Sequence, residues 1–205
     1  MYKTPMQMLA ATMLSAQATD KKVNEVTQER GLFTKYKTVH DFASADLSIF
    51  QKEIHSLGFF RQKAKNIIGS ARMLEKDFHG KLPKTIEELT RLPGVARKTA
   101  NIVLNHVYHR AEGIAVDTHV RQVSQRFGFT KENDPNKIER DLMKLFSKKD
   151  WIWINYTMVE YNRGVHAFPR PECEWCYVRE ICPRIFSAKG GFLPTGQAGV
   201  SGGKK

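Results

Sequence analysis

The sequence predicts an all-α fold. Three observations carry that reading. Apolar residues recur on a helical period along nearly the whole chain, and no stretch alternates apolar and polar residues as a half-buried strand does. Helix start and stop signals punctuate the chain at short intervals, among them Thr85-Ile86-Glu87-Glu88 and Asp134-Pro135. Leu92-Pro93-Gly94-Val95 makes a tight turn that runs straight into another helix, so a hairpin joins two helices.

Residues 5–17 are apolar at helical spacing through Met8, Leu9 and Met13. Thr19 or Asp20 caps a second helix, which Gly31 closes. Short helices are expected near 38–43 and 46–55. Residues 60–78 carry Ile67, Ile68, Ala71, Met73 and Leu74 on one period, and Gly80 stops them. Thr85 with Glu88 forms a capping box for a short helix ending at the Leu92-Pro93-Gly94 turn. The next helix, about 95–108, places Val95, Ile102, Val103 and Val107 at core spacing. Asp117-Thr118 opens a helix that closes near Gly128, and Asp134-Pro135 opens another through about Phe146. Residues 151–162 are aromatic and helical, with Gly164 as the stop. Residues 187–205, rich in Gly, Ser and Lys, read as a flexible basic tail.

The chain has 205 residues and a formal net charge of +12. Such an excess is the electrostatic footprint of a polyanion's partner, although surplus surface lysines give the same count. No apolar run approaches the roughly 20 residues of a membrane span, and the first residues lack the layout of a secretory signal. The expectation is a cytoplasmic protein, with no membrane among its partners. The three cysteines, Cys173, Cys176 and Cys182, are too few and too clustered for a disulfide framework and point to a metal.

The hairpin segment Leu92-Pro93-Gly94-Val95-Ala96-Arg97-Lys98-Thr99-Ala100-Asn101 is the most informative stretch. Its turn leaves backbone N–H groups unpaired at a helix N-terminus, where a phosphate can bind. Lys98 falls in the first turn of that helix, where the positive helix end and adjacent Arg97 both disfavour its charge. A neutral amine is a nucleophile, and lysine is the residue that forms Schiff bases.

Three segments, Leu14-Ser15-Ala16-Gln17-Ala18-Thr19-Asp20, Leu92–Asn101 and Val116-Asp117-Thr118-His119-Val120, resemble the endonuclease III family of DNA glycosylases, in the family's order and at nearly its spacing. The resemblance covers roughly residues 5–185. It implies a two-domain helix-hairpin-helix DNA glycosylase fold, a six-helix bundle carrying the hairpin plus a metal-cluster domain. It also implies base-excision repair: such an enzyme extrudes the damaged base because the reactive carbon is out of reach within the duplex. Domains are expected at 1–110, for the bundle with the hairpin, and 111–186, for the domain with the cysteine segment, ahead of the tail at 187–205. The implied partner is double-stranded DNA bearing a damaged base or an abasic site, bound by a monomer.

Carried over by position, Lys98 is the nucleophile that attacks the sugar C1′, and its Schiff base allows β-elimination and strand nicking. Asp117 is the catalytic carboxylate, stabilising positive charge on the sugar or assisting proton transfer. Taken singly, Lys98 is an ordinary helix lysine and Asp117 an ordinary N-cap; only the pair beside the hairpin, in this order, makes them catalytic. Lysine at position 98 implies a combined glycosylase and lyase, and the resemblance implies an oxidised or ring-saturated pyrimidine in DNA as the substrate. Gln17 matches the polar plug that fills the vacated space, and Phe59 in Leu57-Gly58-Phe59-Phe60 matches the apolar wedge. Gln17 as a plain helix end and Phe59 as a core residue remain alternatives, and Phe60 suits either role. The hairpin amides of Gly94 and Ala96 are expected to hold a phosphate, with Arg97, Lys63, Lys65 and Arg121 as further phosphate contacts. His119 is placed at the pocket wall.

The metal segment departs from the family's four cysteines. The last two intervals are kept between Cys173, Cys176 and Cys182, but His166 stands where the first cysteine belongs. Histidine ligates iron in Rieske centres, and a three-cysteine, one-histidine set is also a structural zinc set. The readings are a [4Fe–4S] cluster on His166, Cys173, Cys176 and Cys182, zinc on the same four, or no metal. The family's N-terminal helix, which joins the cluster domain, has no counterpart before Pro5: either that helix is absent or the chain is a truncated version, and truncation is expected to expose apolar surface on the second domain. Two other functions stay in view: a non-enzymatic helix-hairpin-helix DNA-binding module, and a related glycosylase for pyrimidine dimers or mismatched thymine.

Overall fold

The computed structural model describes residues 2–164 and 176–183, and the statements below concern those residues. Two compact units divide the chain, Met1–Glu112 and Gly113–Lys205. Among the described residues all regular structure is helical, and no helix is long and apolar enough to cross a membrane.

In the first unit α1 spans Pro5–Leu14, with Thr4 accepting from the Gln7 N–H as its cap. It stops three residues short of Gln17, which takes a left-handed backbone at φ 53°. Thr19, not Asp20, caps α2 (Asp20–Asn24) by accepting from the Lys22 N–H. A π-helical stretch, Glu25–Glu29, continues it to Gly31 at φ 73°. A single turn that the periodicity does not announce, α3 (Leu32–Lys35), follows. Next come α4 (Val39–Ala43), under a Thr38/Asp41 capping box, and α5 (Leu47–Glu53), capped by Asp46. The long α6 (Phe60–Phe78), the short α7 (Ile86–Leu89, capped by Thr85) and α8 (Arg97–Tyr108) complete the unit.

The core of this unit is organised on α6. Its Ala64, Ile67, Ile68, Ala71 and Leu74 are buried at helical spacing, and the helix packs against α1, α4 and α5. Burying each large side chain is worth about 1.5–3 kcal/mol. Tyr36, Phe42 and Phe50 form an aromatic cluster, with ring centroids 5.1–6.1 Å apart. The Arg72 Nε donates to the Ala43 carbonyl at 2.9 Å and ties α6 to the end of α4.

The second unit holds α9 (Thr118–Arg126), α10 (Pro135–Leu145, capped by Asp134), a 3₁₀ turn at Lys148–Asp150 and α11 (Trp151–Gly164). Its core joins Ile114, Val116, Val120, Val123, Ile138, Leu142 and Met158. Phe127 stacks on Phe129, and Phe129 meets Phe146 edge-on.

Candidate functional site

The hairpin is built on α6. Pro93 lies against Gly69, where a Cβ would sit 3.4 Å from the proline ring, and the Ser70 hydroxyl donates to the Pro93 carbonyl at 2.8 Å. Gly94 turns the chain at φ 75°, pressed against the Asn66 side chain. The Val95 N–H closes the turn on the Leu92 carbonyl, and Val95 is buried, so α8 begins at Arg97, two residues later than its periodicity suggests. Ala96 is the N-cap and is exposed, and no side chain caps the helix. The first hydrogen bond to the cap is Ala100 N–H to the Ala96 carbonyl. The first turn of α8 thus lies beside the Gly94 bend without a side-chain cap, an arrangement suited to an anion. Arg97 and Lys98 occupy the first two helical positions, and both are exposed.

Gln17 and Phe59 come together in the same unit. Both are exposed, Phe59 by 69%, whereas Phe60 packs against the core. A Cβ on Gly58 would sit 3.9 Å from the Gln17 carbonyl, so the two loops lie side by side. Both residues have positive φ, 53° and 57°, an uncommon state for a side-chain-bearing residue. Lys63 is not available to a phosphate. It is 6% exposed, its ammonium donates to the Leu14 carbonyl at 2.8 Å, and burial pushes its pKa down. Lys65 is exposed and Arg121 half-buried.

In the second unit a buried segment from Gly113 to Val116 leads to Asp117. The Glu139 carboxylate accepts from the Ile114 N–H at 3.2 Å, and the Asn155 amide donates to the Ala115 carbonyl at 2.8 Å, which pins that segment. Asp117 caps α9, its Oδ1 accepting from the Val120 N–H at 2.8 Å. Its Oδ2 makes no hydrogen bond among the described residues. His119 is half-buried, and its Nδ1 lies 2.8 Å from the Asn162 amide nitrogen. Since that amide donates, the imidazole carries its proton on Nε2. Asn162, 2% exposed, also donates to Gln122 Oε1 at 3.1 Å and holds the start of α9 to α11. Lys98 belongs to the first unit and Asp117 to the second.

Of the expected metal ligands, Cys176 and Cys182 are described and both are free thiols; His166 and Cys173 lie outside the described residues. Cys176 is buried, with its Sγ 3.1 Å from the Tyr161 hydroxyl, and the Cys182 N–H closes a turn on the Val178 carbonyl. Two unpaired thiols on one turn, one of them sheltered, are donors that iron or zinc accepts. Among the described residues no group of three or more candidate ligands is gathered.

In the first unit Lys63 and Asn66 support the loops and the hairpin, and in the second Asn155 and Asn162 support Asp117 and His119; motif reading gives none of them that role. Lys63 leaves one signal, a lysine on the apolar stripe of α6 four residues before Ile67. The asparagines leave none, because each acts on backbone or side chains distant in sequence.

Known proteins bear on this geometry. Residues 10–148 match the model of the HhH-GPD superfamily base excision DNA repair proteins. An endonuclease III of Synechocystis sp. is 48% identical over 182 residues, covering 89% of this chain and 82% of that protein. That of Bacillus subtilis is 38% identical, covering 88% and 82%. Among solved structures, a non-covalent endonuclease III–DNA complex superposes with a TM-score of 0.82 at 38% identity, covering 89% of this chain and 84% of that one. A trapped endonuclease III–DNA covalent intermediate matches equally well. The chain belongs to the HhH-GPD superfamily of base excision DNA repair proteins and, within it, to the endonuclease III family of DNA glycosylases and lyases.

Proposed function

We propose that this enzyme removes oxidised or ring-saturated pyrimidines from duplex DNA and nicks the strand at the resulting abasic site, with Lys98 as nucleophile. The observation that carries the reading is the hairpin itself. It presents an exposed amine one residue into an uncapped helix, beside amides suited to a phosphate. The grip on the backbone fixes register and reads no sequence. It brings one sugar to the amine, and such positioning is the larger part of a bimolecular rate gain.

In the proposed reaction the Lys98 Nζ attacks C1′ of an extruded nucleotide and the bond from C1′ to the base nitrogen breaks. The base leaves with the bonding electron pair and takes up a proton. Loss of a proton from the amine and opening of the sugar ring give the C1′ Schiff base. Removal of a C2′ proton then expels the 3′ phosphate by β-elimination, and water hydrolyses the imine to free Lys98. The Asp117 carboxylate stabilises the positive charge that develops on the sugar; its Oδ2, uninvolved in the cap, is the oxygen suited to that task. Gln17 fills the space left by the extruded nucleotide, and Phe59 enters the opposite strand. Gly94 and Ala96 hold the phosphate, with Arg97 beside them, and His119 lines the pocket.

His166, Cys173, Cys176 and Cys182 are the proposed ligands of a [4Fe–4S] cluster. The cluster's contribution is structural, holding the segment that carries Arg179. Support for the nucleophile comes from the similar protein solved as a covalent DNA intermediate. The test is base release and strand nicking on a panel of duplexes with oxidised, dimerised or mismatched pyrimidines. Release and nicking are expected for the oxidised and ring-saturated bases. Release confined to dimers or mismatches, or release with no nicking, contradicts the proposal.

A further inference from the structure

Gln17 and Phe59 hold left-handed backbones without being glycine, so packing around them must impose the conformation. Lys63 ties the first turn of α6, which follows Phe59, to the end of α1, which precedes Gln17; only its side chain makes the second link. Its backbone N–H donates to the Phe59 carbonyl at 3.0 Å. Its side chain crosses to α1 and donates to the carbonyl of Leu14, the last residue of that helix and three before Gln17. A C-terminal carbonyl has no partner within its helix and carries the negative end of the dipole, so a buried ammonium suits it. No carboxylate pairs with Lys63 among the described residues. An unpaired buried cation is costly. An apolar residue would fill the same place on the α6 stripe at less expense but would leave the Leu14 carbonyl ungripped.

We infer that Lys63 is a positioning residue that sets the Gln17 and Phe59 loops in register to enter the duplex when a nucleotide is extruded. This rests on the reading of those two residues given under Proposed function. Extrusion is required for a paired lesion and not for an abasic site in a single strand. The two substrates therefore separate positioning from general damage to the fold.

The experiment compares wild type, Lys63→Met, Gln17→Ala and Phe59→Ala. Each is assayed on a duplex with thymine glycol opposite adenine and on a single strand with an abasic site. A fluorescent purine opposite the lesion reports loss of stacking. The ratio of duplex to single-strand rates is expected to fall at least tenfold in Lys63→Met, with loss of the fluorescence rise, as in the two loop variants. Adding Lys63→Met to Phe59→Ala is expected to lower the ratio no further. If Lys63→Met fails to fold, Lys63→Gln, which keeps a donor on a shorter arm, is read in the same way. An unchanged ratio, or equal losses on both substrates, overturns the assignment of Lys63. If Gln17→Ala and Phe59→Ala also leave the ratio unchanged, the reading of the loops fails with it. If they lower it and Lys63→Met does not, only the inference about Lys63 fails.

Discussion

Replacing Gly94 with alanine tests how the hairpin is made. Two separate costs follow from the geometry. Gly94 sits at φ 75°, and a left-handed backbone costs an L-residue about 1–2 kcal/mol. A new Cβ would also meet the Asn66 side chain, with Cγ at 2.7 Å, Cβ at 2.8 Å and Nδ2 nearer still. Asn66 has to turn away and give up the bond its Oδ1 accepts from Gln62 Nε2 at 2.8 Å. Overpacking of this kind costs about 1–3 kcal/mol. The sum, about 2–5 kcal/mol, is a large share of the 5–15 kcal/mol typical of a folded domain. Gly80 supplies the control. It has φ 71° and nothing within 4 Å of its added Cβ, so Gly80→Ala incurs only the backbone cost. Urea unfolding of both variants and wild type, read at constant m-value, gives the difference. Gly94→Ala is expected to be the less stable by about 1–3 kcal/mol and to bind DNA more weakly, while Gly80→Ala binds as wild type. Equal destabilisation by the two substitutions would refute the close packing of the turn on α6.

Asp117 has two duties that substitutions separate. Asparagine caps a helix about as well as aspartate, so Asp117→Asn is expected to keep its melting temperature and lose base release by about a hundredfold or more, whereas Asp117→Ala also loses about 0.5–2 kcal/mol of stability. Glycosylase assays alongside thermal melts check this. The backbone N–H groups of Thr38 and Lys37 hold the Asp41 carboxyl below the usual range. A depressed carboxylate contributes stability above its unfolded pKa of about 3.9, and the contribution is lost as pH falls through the folded value. Melts below about pH 4 are therefore expected to fall less steeply for Asp41→Asn than for wild type. Purified protein is expected to contain iron and acid-labile sulfide, and Cys176→Ala to lose both. Zinc in their place, or no metal, contradicts the proposed cluster.

The helices were legible where local chemistry decides them. Thr85, Asp117 and Asp134 cap the helices expected of them, and Phe60–Phe78 reads directly from its apolar period. The misses come from tertiary packing. Val95 has core spacing but spends its backbone on the turn, which delays α8 to Arg97. The π-helical stretch buries Val26 and Thr27 and the turn at Leu32–Lys35 buries Leu32, and no local motif encodes either. At the candidate site the motifs name residues for direct roles and say nothing of what supports them. A charged lysine reads as a surface residue unless its neighbours are known, so the sequence alone points Lys63 at a phosphate, whereas the fold buries it against the Leu14 carbonyl. Phe59 and Phe60 are chemically alike, and only the fold sends one outward and the other into the core.

The central claim is that a particular amine bonds to the sugar. Borohydride added during reaction with duplex DNA carrying an abasic site reduces any imine to a stable adduct, and digestion followed by mass spectrometry locates the modified residue. The account predicts an adduct on Lys98, abolished in Lys98→Ala while DNA binding persists. An adduct on another residue, or undiminished trapping in Lys98→Ala, contradicts it.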